Sequence, residues 1–334
     1  MRQGRLPGRY RHSPRRRHPL AACREQRRRP GGMVRRSLQP TCQIPELVMN
    51  RQPLTHADGT ADALARIATA CLIDEARLTP KPGLVDCRGS GAHHDLTLAL
   101  MERSAHSLTP TFHGLAQQSW QRPADIALRE TVGRLGREGE AQMMAATGGV
   151  NTHRGAIWAL GLLVSATAMC GADASADVIA ATAARLASLP DAAAPKGFSK
   201  GLRATRRYQV PGAREEAQQG FPHVTRLALP QLHESRRRGA NETEARLDAL
   251  MAIMTSLSDT CVLNRAGLTG QFAMQRGARA VLAAGGTATA HGRRELATLD
   301  SEMLALNASP GGAADLLAAT LYLDRVGASS RITD

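Results

Sequence analysis

The chain has 334 residues, 43% of them hydrophobic and 22% charged, enough for one large domain or two smaller ones with a real core. Aromatic residues make up only 3%, so the core is expected to be built from small aliphatic side chains, which suits closely packed helices. The net charge of +14 belongs mostly to a tail: residues 1–48 hold 13 Arg against two Glu, and the remainder carries only +3.

That tail has no apolar periodicity. Arg15-Arg16-Arg17 and Arg27-Arg28-Arg29 stand among Pro and Gly, a composition expected to be disordered. Three readings compete: phosphate binding to nucleic acid, a transit peptide, and translated upstream sequence with the start at Met33 or Met49. The third is favoured, because the tail lacks interleaved aromatics and the patterned sequence begins only near Asp58. No apolar run resembles a signal peptide or a membrane span, so no membrane and no specific nucleic acid are expected as partners. The six cysteines (Cys23, Cys42, Cys71, Cys87, Cys170 and Cys261) form no CxxC pair, which suits a reduced, cytoplasmic protein.

Residues 59–77 read as a helix with Leu64, Ile67, Cys71 and Leu78 near one stripe. Glu75 falls four positions after Cys71, on or beside that stripe, and points at the loop that follows. This loop runs from Thr79 to Asp95. Pro80 and Pro82 stiffen it, three glycines bend it, and it carries Lys81, Asp86, Arg88, His93, His94 and Asp95. Asp95 serves either as a functional carboxylate or as the N-cap of the next helix. Helix is expected over 96–108, then a short segment between Pro110 and Pro123, then helix over 125–145. Residues 154–170 are apolar almost all round and are expected to be central. Another helix covers 176–188. Residues 190–212, rich in Pro, Gly and basic side chains, read as an ordered loop or mobile lid. Further helices are expected from Ala213, over 224–237, 242–257, 268–284, 293–306 and 311–325. No segment alternates with period two. The fold class is all-α, a single globular domain (49–334) of roughly ten helices with polar, Gly-rich loops at helix ends, preceded by the Arg-rich tail (1–48).

Five polar islands interrupt these helices. The first is the loop after Glu75. The second is Thr147-Gly148-Gly149-Val150-Asn151-Thr152-His153-Arg154-Gly155, whose glycines and helix start offer backbone N–H groups to phosphate. The third, Gly212 to Ala217, contains Arg214 and Glu216. The fourth runs from Asp259 to Gly267 and includes Arg265. The fifth, Asn307 to Asp315, includes Ser309, Gly311 and Gly312. Each has a plain structural alternative: a glycine hinge with Thr152 as cap, surface charges, a helix-ending turn after Asp259, or Asp315 complementing a helix dipole. Together they supply carboxylates, cations and two helix N-termini, a set that fits a Mg²⁺–nucleotide site. There is no GxxxxGK[ST] and no GxGxxG after a strand, which excludes P-loop and Rossmann sites.

The islands TPKPGLVD, GAHHDL, TGGVNTHRGAI, GAREEA, DTCVLNRAG and NASPGGAADLLAATL, in this order, resemble the triphosphoribosyl-dephospho-CoA synthase family over about Asp62 to Asp324. The resemblance implies an all-helical transferase. Such enzymes join ATP to 3′-dephospho-CoA, release adenine, and make the prosthetic-group precursor that a separate transferase attaches to an acyl carrier protein. One branch serves citrate lyase and another malonate decarboxylase. GSGAHHDLTLALMERSA and NASPGGAADLLAATLYLDRVG resemble the malonate decarboxylase branch more closely. The chain departs from many relatives at Arg154, where they carry Lys, at Cys261 (Asn), at Ala266 (Gly) and at Glu215 (Gly).

The implied chemistry is attack of a ribose hydroxyl on C1′ of ATP through an oxocarbenium-like transition state. It asks for a carboxylate base, drawn from Glu75, Asp86 and Asp95. Substrate binding then falls to Lys81, His93, Asn151, His153, Arg154, Arg214, Glu216, Arg265, Ser309, Gly311 and Gly312, and Mg²⁺ to Asp259 and Asp315. Arg154 is expected to clamp the triphosphate. The competing enzyme class is a helical Mg-dependent ADP-ribosyl or nucleoside hydrolase, with water as acceptor. The competing binding class is a nucleic-acid-binding protein driven by the tail.

A chain beginning at Met49 is expected to keep the thermal midpoint and activity of the full chain, because residues 1–48 hold too little apolar surface to offset their ordering. Thermal melts of both lengths check this, and a large drop on shortening would make the tail part of the domain.

Overall fold

The computed structural model describes residues 57–330 except Ala172, Lys196 and Phe198, and the expected tail lies outside the described residues. All described residues fall in one compact unit. It is all-α, with thirteen α-helices and one π-helical turn, His223–Ala228. Among the described residues the only β-type pairing is one bridge, Asp86 with Gly89.

The helices are α1 (Ala57–Arg77), α2 (Leu98–Ser107), α3 (Thr109–Ser119), α4 (Ile126–Ala146), α5 (Arg154–Cys170), α6 (Ala176–Ser188), α7 (Lys200–Tyr208), α8 (Ala213–Gln218), α9 (Leu229–Arg237), α10 (Glu242–Met254), α11 (Thr260–Ala283), α12 (Ala290–Ala305) and α13 (Gly311–Ser330). Local chemistry starts most of them. Thr97, Asp125, Ser175, Ser199 and Thr289 each accept a backbone N–H with the side chain at an N-cap. Asn241 and Glu244 form a reciprocal capping box at α10.

α5 is buried along nearly its whole length, as its all-round apolar sequence requires. α13 shares the centre with it, with Leu317, Ala319, Leu321, Tyr322 and Leu323 all fully or nearly fully buried. α1 and α3 pack on α5, α13 packs on α1, and α10 lies against α13.

Three differences from the sequence reading have local causes. Pro110 sits in the first turn of α3, where its missing N–H costs nothing, so it starts a full helix there. The basic stretch expected as loop holds α7, capped by Ser199 and polar enough to stay largely exposed. α11 begins before its expected start because Asp259 caps it, and Gly267, at φ 62° and ψ −157°, then kinks it. No helix among the described residues is long and apolar enough to cross a membrane.

Candidate active site

The loop after α1 is tied by Asp86. Its buried carboxylate accepts from the Thr79 hydroxyl (3.0 Å), the Lys81 N–H (2.9 Å), the Arg88 N–H (2.7 Å) and Arg88 Nε (2.9 Å). Arg88 continues to Asp300 on α12 at 2.6 Å and to the Lys81 carbonyl at 3.1 Å. This frame turns Lys81 inward. Its Nζ lies 2.5 Å from both Oε1 and the backbone carbonyl oxygen of Glu75, and the two side chains are only 1% and 5% exposed. The Glu beside the apolar stripe of α1 therefore meets a buried counter-charge.

The second island enters from α5. Asn151 Oδ1 accepts the Arg154 N–H at 3.3 Å, and His153 rather than Thr152 is the N-cap residue. His153 is buried, with Nδ1 2.7 Å from Ser104 Oγ of α2, while Nε2 has no hydrogen-bond partner. Burial and then the charge of Lys81 push its pKa down to about 3, so the ring is neutral at physiological pH.

Asp315 of α13 reaches the same place. A Cβ on Gly155 would lie 2.0 Å from its Oδ2, so only glycine admits the carboxylate against the first turn of α5. Asp315 accepts the Ala156 N–H there. Burial, then the charges of Glu75 and Asp259, raise its pKa well above the usual carboxylate range.

Asp259 joins two helices. Oδ1 accepts the Cys261 and Val262 N–H groups at the start of α11, at 2.8 and 3.2 Å, and Oδ2 accepts the Ala313 N–H of α13 at 2.9 Å. Burial raises its pKa against the pull of these N–H groups. Gly312 is packed on the same carboxylate, at 3.0 Å from where its Cβ would be, and a Cβ on Gly311 would meet Cys261 Sγ at 3.1 Å.

Arg265 braces the first, fourth and fifth islands. Its Nε donates to the Asn307 carbonyl at 3.0 Å, and Nη2 donates to Asn307 Oδ1 and the Ala92 carbonyl. Nη1 lies 3.5 Å from His93 Nδ1. A guanidinium only donates, so Nδ1 accepts and His93 Nε2–H donates to Ser309 Oγ at 2.8 Å. Burial, then Arg265, lowers the pKa of His93 to about 4.

Contacts and electrostatic proximity thus link islands one, two, four and five, and bring Glu75, Lys81, His153, Asp259 and Asp315 into one cluster. The third island meets α5 one turn further on, where Trp158 Nε1 donates to the Ala213 carbonyl at 3.0 Å. Arg214 is exposed. Glu216 is spent on His223, accepting its N–H at 3.0 Å and meeting its Nδ1 at 2.8 Å. Asp95 is exposed, 3.8 Å from His93 Nδ1, and Thr97 rather than Asp95 caps α2. Arg154 is half-exposed and its Nε donates to Glu140 at 2.9 Å.

The sequence profile of the CitG family, described as ATP:dephospho-CoA triphosphoribosyl transferase, matches residues 61–333. A 2-(5″-triphosphoribosyl)-3′-dephosphocoenzyme-A synthase of Klebsiella pneumoniae is 76% identical over 277 residues, covering 83% of this chain and 99% of the relative. A probable synthase of the same name from Stutzerimonas stutzeri is 62% identical over 272 residues, 81% of this chain and 93% of the relative. The chain belongs to the CitG family. It is accordingly an enzyme of the transferase class. No solved structure matches it.

In this structure the pair expected to hold Mg²⁺ has carboxylate oxygens that already accept protein N–H groups. Both oxygens of Asp259 already accept backbone N–H groups. Asp315 takes the Ala156 N–H and has a raised proton affinity. Among the described residues no group of three or more His, Cys, Asp or Glu side chains is arranged around a common metal position.

Sequence reasoning missed Ser104 and Asp300, and it gave no role to Asn307 within the fifth island. Asp300 falls four positions after Leu296 of the apolar α12 face, the same spacing that marked Glu75, and it holds the Gly83 N–H at 3.0 Å as well as Arg88. Ser104 lies in a polar-looking helix and carries no such signal.

The raised pKa of Asp315 has a consequence for stability. A carboxyl whose folded pKa lies above its reference value of 3.8 stabilises the fold below that value, and the contribution is lost as pH rises through the folded pKa. Asp315→Asn keeps an acceptor for the Ala156 N–H and removes the buried charge. The variant is expected to be more stable than the wild type at pH 8, with the difference closing towards pH 4. Urea midpoints across that range measure it, and an unchanged or lower midpoint at pH 8 would contradict the raised pKa.

Proposed function

We propose that the protein joins ATP and 3′-dephospho-CoA to give 2′-(5″-triphosphoribosyl)-3′-dephospho-CoA with release of adenine. The product is the prosthetic-group precursor for the acyl carrier protein of malonate decarboxylase, reached through a separate transferase. The branch assignment rests on the stretches around His93 and Asp315. The reaction rests on family membership and on one observation: Glu75, Asp259 and Asp315 share a water-poor cluster whose formal cation is Lys81.

A cluster of buried carboxyl groups in unlike environments suits a reaction that develops positive charge at C1′ of the ATP ribose and needs both a base and an acid. The hydroxyl of dephospho-CoA forms the new bond to C1′ as the bond to adenine breaks. Its proton goes to a carboxylate, and adenine leaves with a proton supplied by the site. Of the carboxylates expected as base, Asp86 is committed to its loop and Asp95 stands outside the cluster. Glu75 is the base in this reading. Asp315, with its raised proton affinity, is the acid that meets adenine, as two carboxyl groups in unlike environments divide these roles in glycosidases. His153, neutral and with Nε2 unpartnered, is a binding group. Mg²⁺ arrives with the triphosphate. Lys81, Arg265 and Glu216 act by holding the site's frame, since their polar atoms are engaged by the protein.

Mass spectrometry of the reaction of ATP with dephospho-CoA is expected to show adenine and one product that retains all three ATP phosphates. Adenine released from ATP alone would instead make the protein a hydrolase.

Arg154 is proposed as the triphosphate clamp. Losing a charged hydrogen bond costs about 1.5–3 kcal/mol, roughly tenfold to a hundredfold in affinity. Arg154→Ala is expected to raise KM for ATP by that factor and leave KM for dephospho-CoA nearly unchanged, while Arg154→Lys is mild. Lost turnover with normal ATP binding would move Arg154 to the reacting centre.

A further inference from the structure

α4 and α5 do not close on each other along their whole length. A groove remains between them, walled by Val132, Ile157 and Leu162 and roofed by Asp191, Ala194 and Pro195 of the segment after α6. Three glycines in α4 stand on or near this face, each costing about 1 kcal/mol of helix stability relative to alanine. Packing accounts for two of them. A Cβ on Gly133 would lie 2.0 Å from Asp191 Oδ2, and one on Gly139 would lie 2.6 Å from Thr111 Cγ2. Gly136 is different: its Cβ would meet nothing within 4 Å, and it lines the groove. No protein neighbour explains its missing side chain.

The groove is also cationic. Arg129 is 6% exposed, stacks 5.4 Å above the Trp158 ring, and shares Asp191 with Arg137, at 3.4 and 2.8 Å. Its buried Nε has no hydrogen-bond partner. Arg214 lies close enough to act on its charge. Glu140 at the groove is already paired with Arg154. One carboxylate, Asp191, therefore faces Arg129 and Arg137 with Arg214 close by, beside an apolar channel.

We propose that this groove holds dephospho-CoA, with its pyrophosphate on Arg129 and Arg137 and its pantetheine arm along the apolar walls past Gly136. The assignment rests on the reaction proposed above and adds to it the seat of one substrate. Of the two substrates, ATP has phosphates but no aliphatic arm. Dephospho-CoA has both, matching the cations and apolar walls that the groove combines. α5 connects the two regions: Gly155 faces the carboxylate cluster, while Ile157, Trp158 and Gly161 run along the groove over about 10 Å of helix.

Gly136→Leu adds a side chain at the channel, with its Cβ clear of every neighbour by 4 Å. It is expected to raise KM and the calorimetric Kd for dephospho-CoA by about tenfold or more, and to leave those for ATP within about twofold. Gly59→Leu, the same change at an exposed helical glycine with equal room around its Cβ, controls for the helix effect and should move neither. Arg137→Gln tests the phosphate end independently of any folding defect in the first variant, and should weaken dephospho-CoA binding several-fold. If the wild type binds and converts dephospho-CoA but both groove variants match it, the groove is not the seat and the proposed reaction stands. A rise confined to ATP would give the groove to the other nucleotide and overturn the assignment. If the wild type neither binds dephospho-CoA nor needs it to release adenine, the proposed reaction fails and this inference falls with it.

Discussion

The buried ion pair between Lys81 and Glu75 is the constraint to which the rest of the site answers. Removing two charges from water costs several kcal/mol per ion, and their attraction offsets this only when the geometry is tight and the remaining donors are used. The protein meets that condition by fixing the loop before the lysine is placed. Asp86 gathers Thr79, Lys81 and Arg88, and Arg88 is anchored in turn on Asp300. The field of the buried ammonium then reaches His153 and helps to keep it neutral. Charge in this cluster is thus set collectively, and no member of it can be altered as if it stood alone.

A second consequence concerns where phosphate can go. Helix N-termini attract anions, and two Gly-containing helix starts made phosphate binding there the natural expectation. The protein has filled both with its own carboxylates: Asp315 takes the Ala156 N–H of α5, and Asp259 takes N–H groups from α11 and α13. With these backbone donors used, the proposed anion recognition falls to side chains: Arg154 and Arg214, and Arg129 and Arg137 in the groove.

Much of this was legible in the sequence, for identifiable reasons. The apolar run of α5 predicted its central place, and Glu75, on or beside the stripe of α1, pointed at the loop that supplies its buried partner. Four of the five islands at helix ends converge, while the third meets α5 further on. Sequence could not say how each polar group would be spent. Arg265 and Glu216 look like ligand-binding residues in one dimension and Asp86 like a candidate base, and in three dimensions their hydrogen bonds hold loops and helix ends in place. Nor could it see the groove, because a glycine such as Gly136 reads only as a weak helix position until its empty surroundings are known. The start of α11 was hidden because Gly267 breaks the periodic pattern without ending the helix.

The position of α13 in the chain has a consequence for biosynthesis. It is the last of the described helices, yet it lies in the centre, packed on α1 and α5, and it delivers Asp315 against Gly155. A nascent chain still on the ribosome has made Glu75, Lys81, His153 and Asp259 before Asp315 emerges. Until then the interior lacks its final wall, and the first-turn amide of α5 at Ala156 has no carboxylate to receive its N–H. The proposed site is therefore completed in one late step, when translation has already delivered nearly everything else.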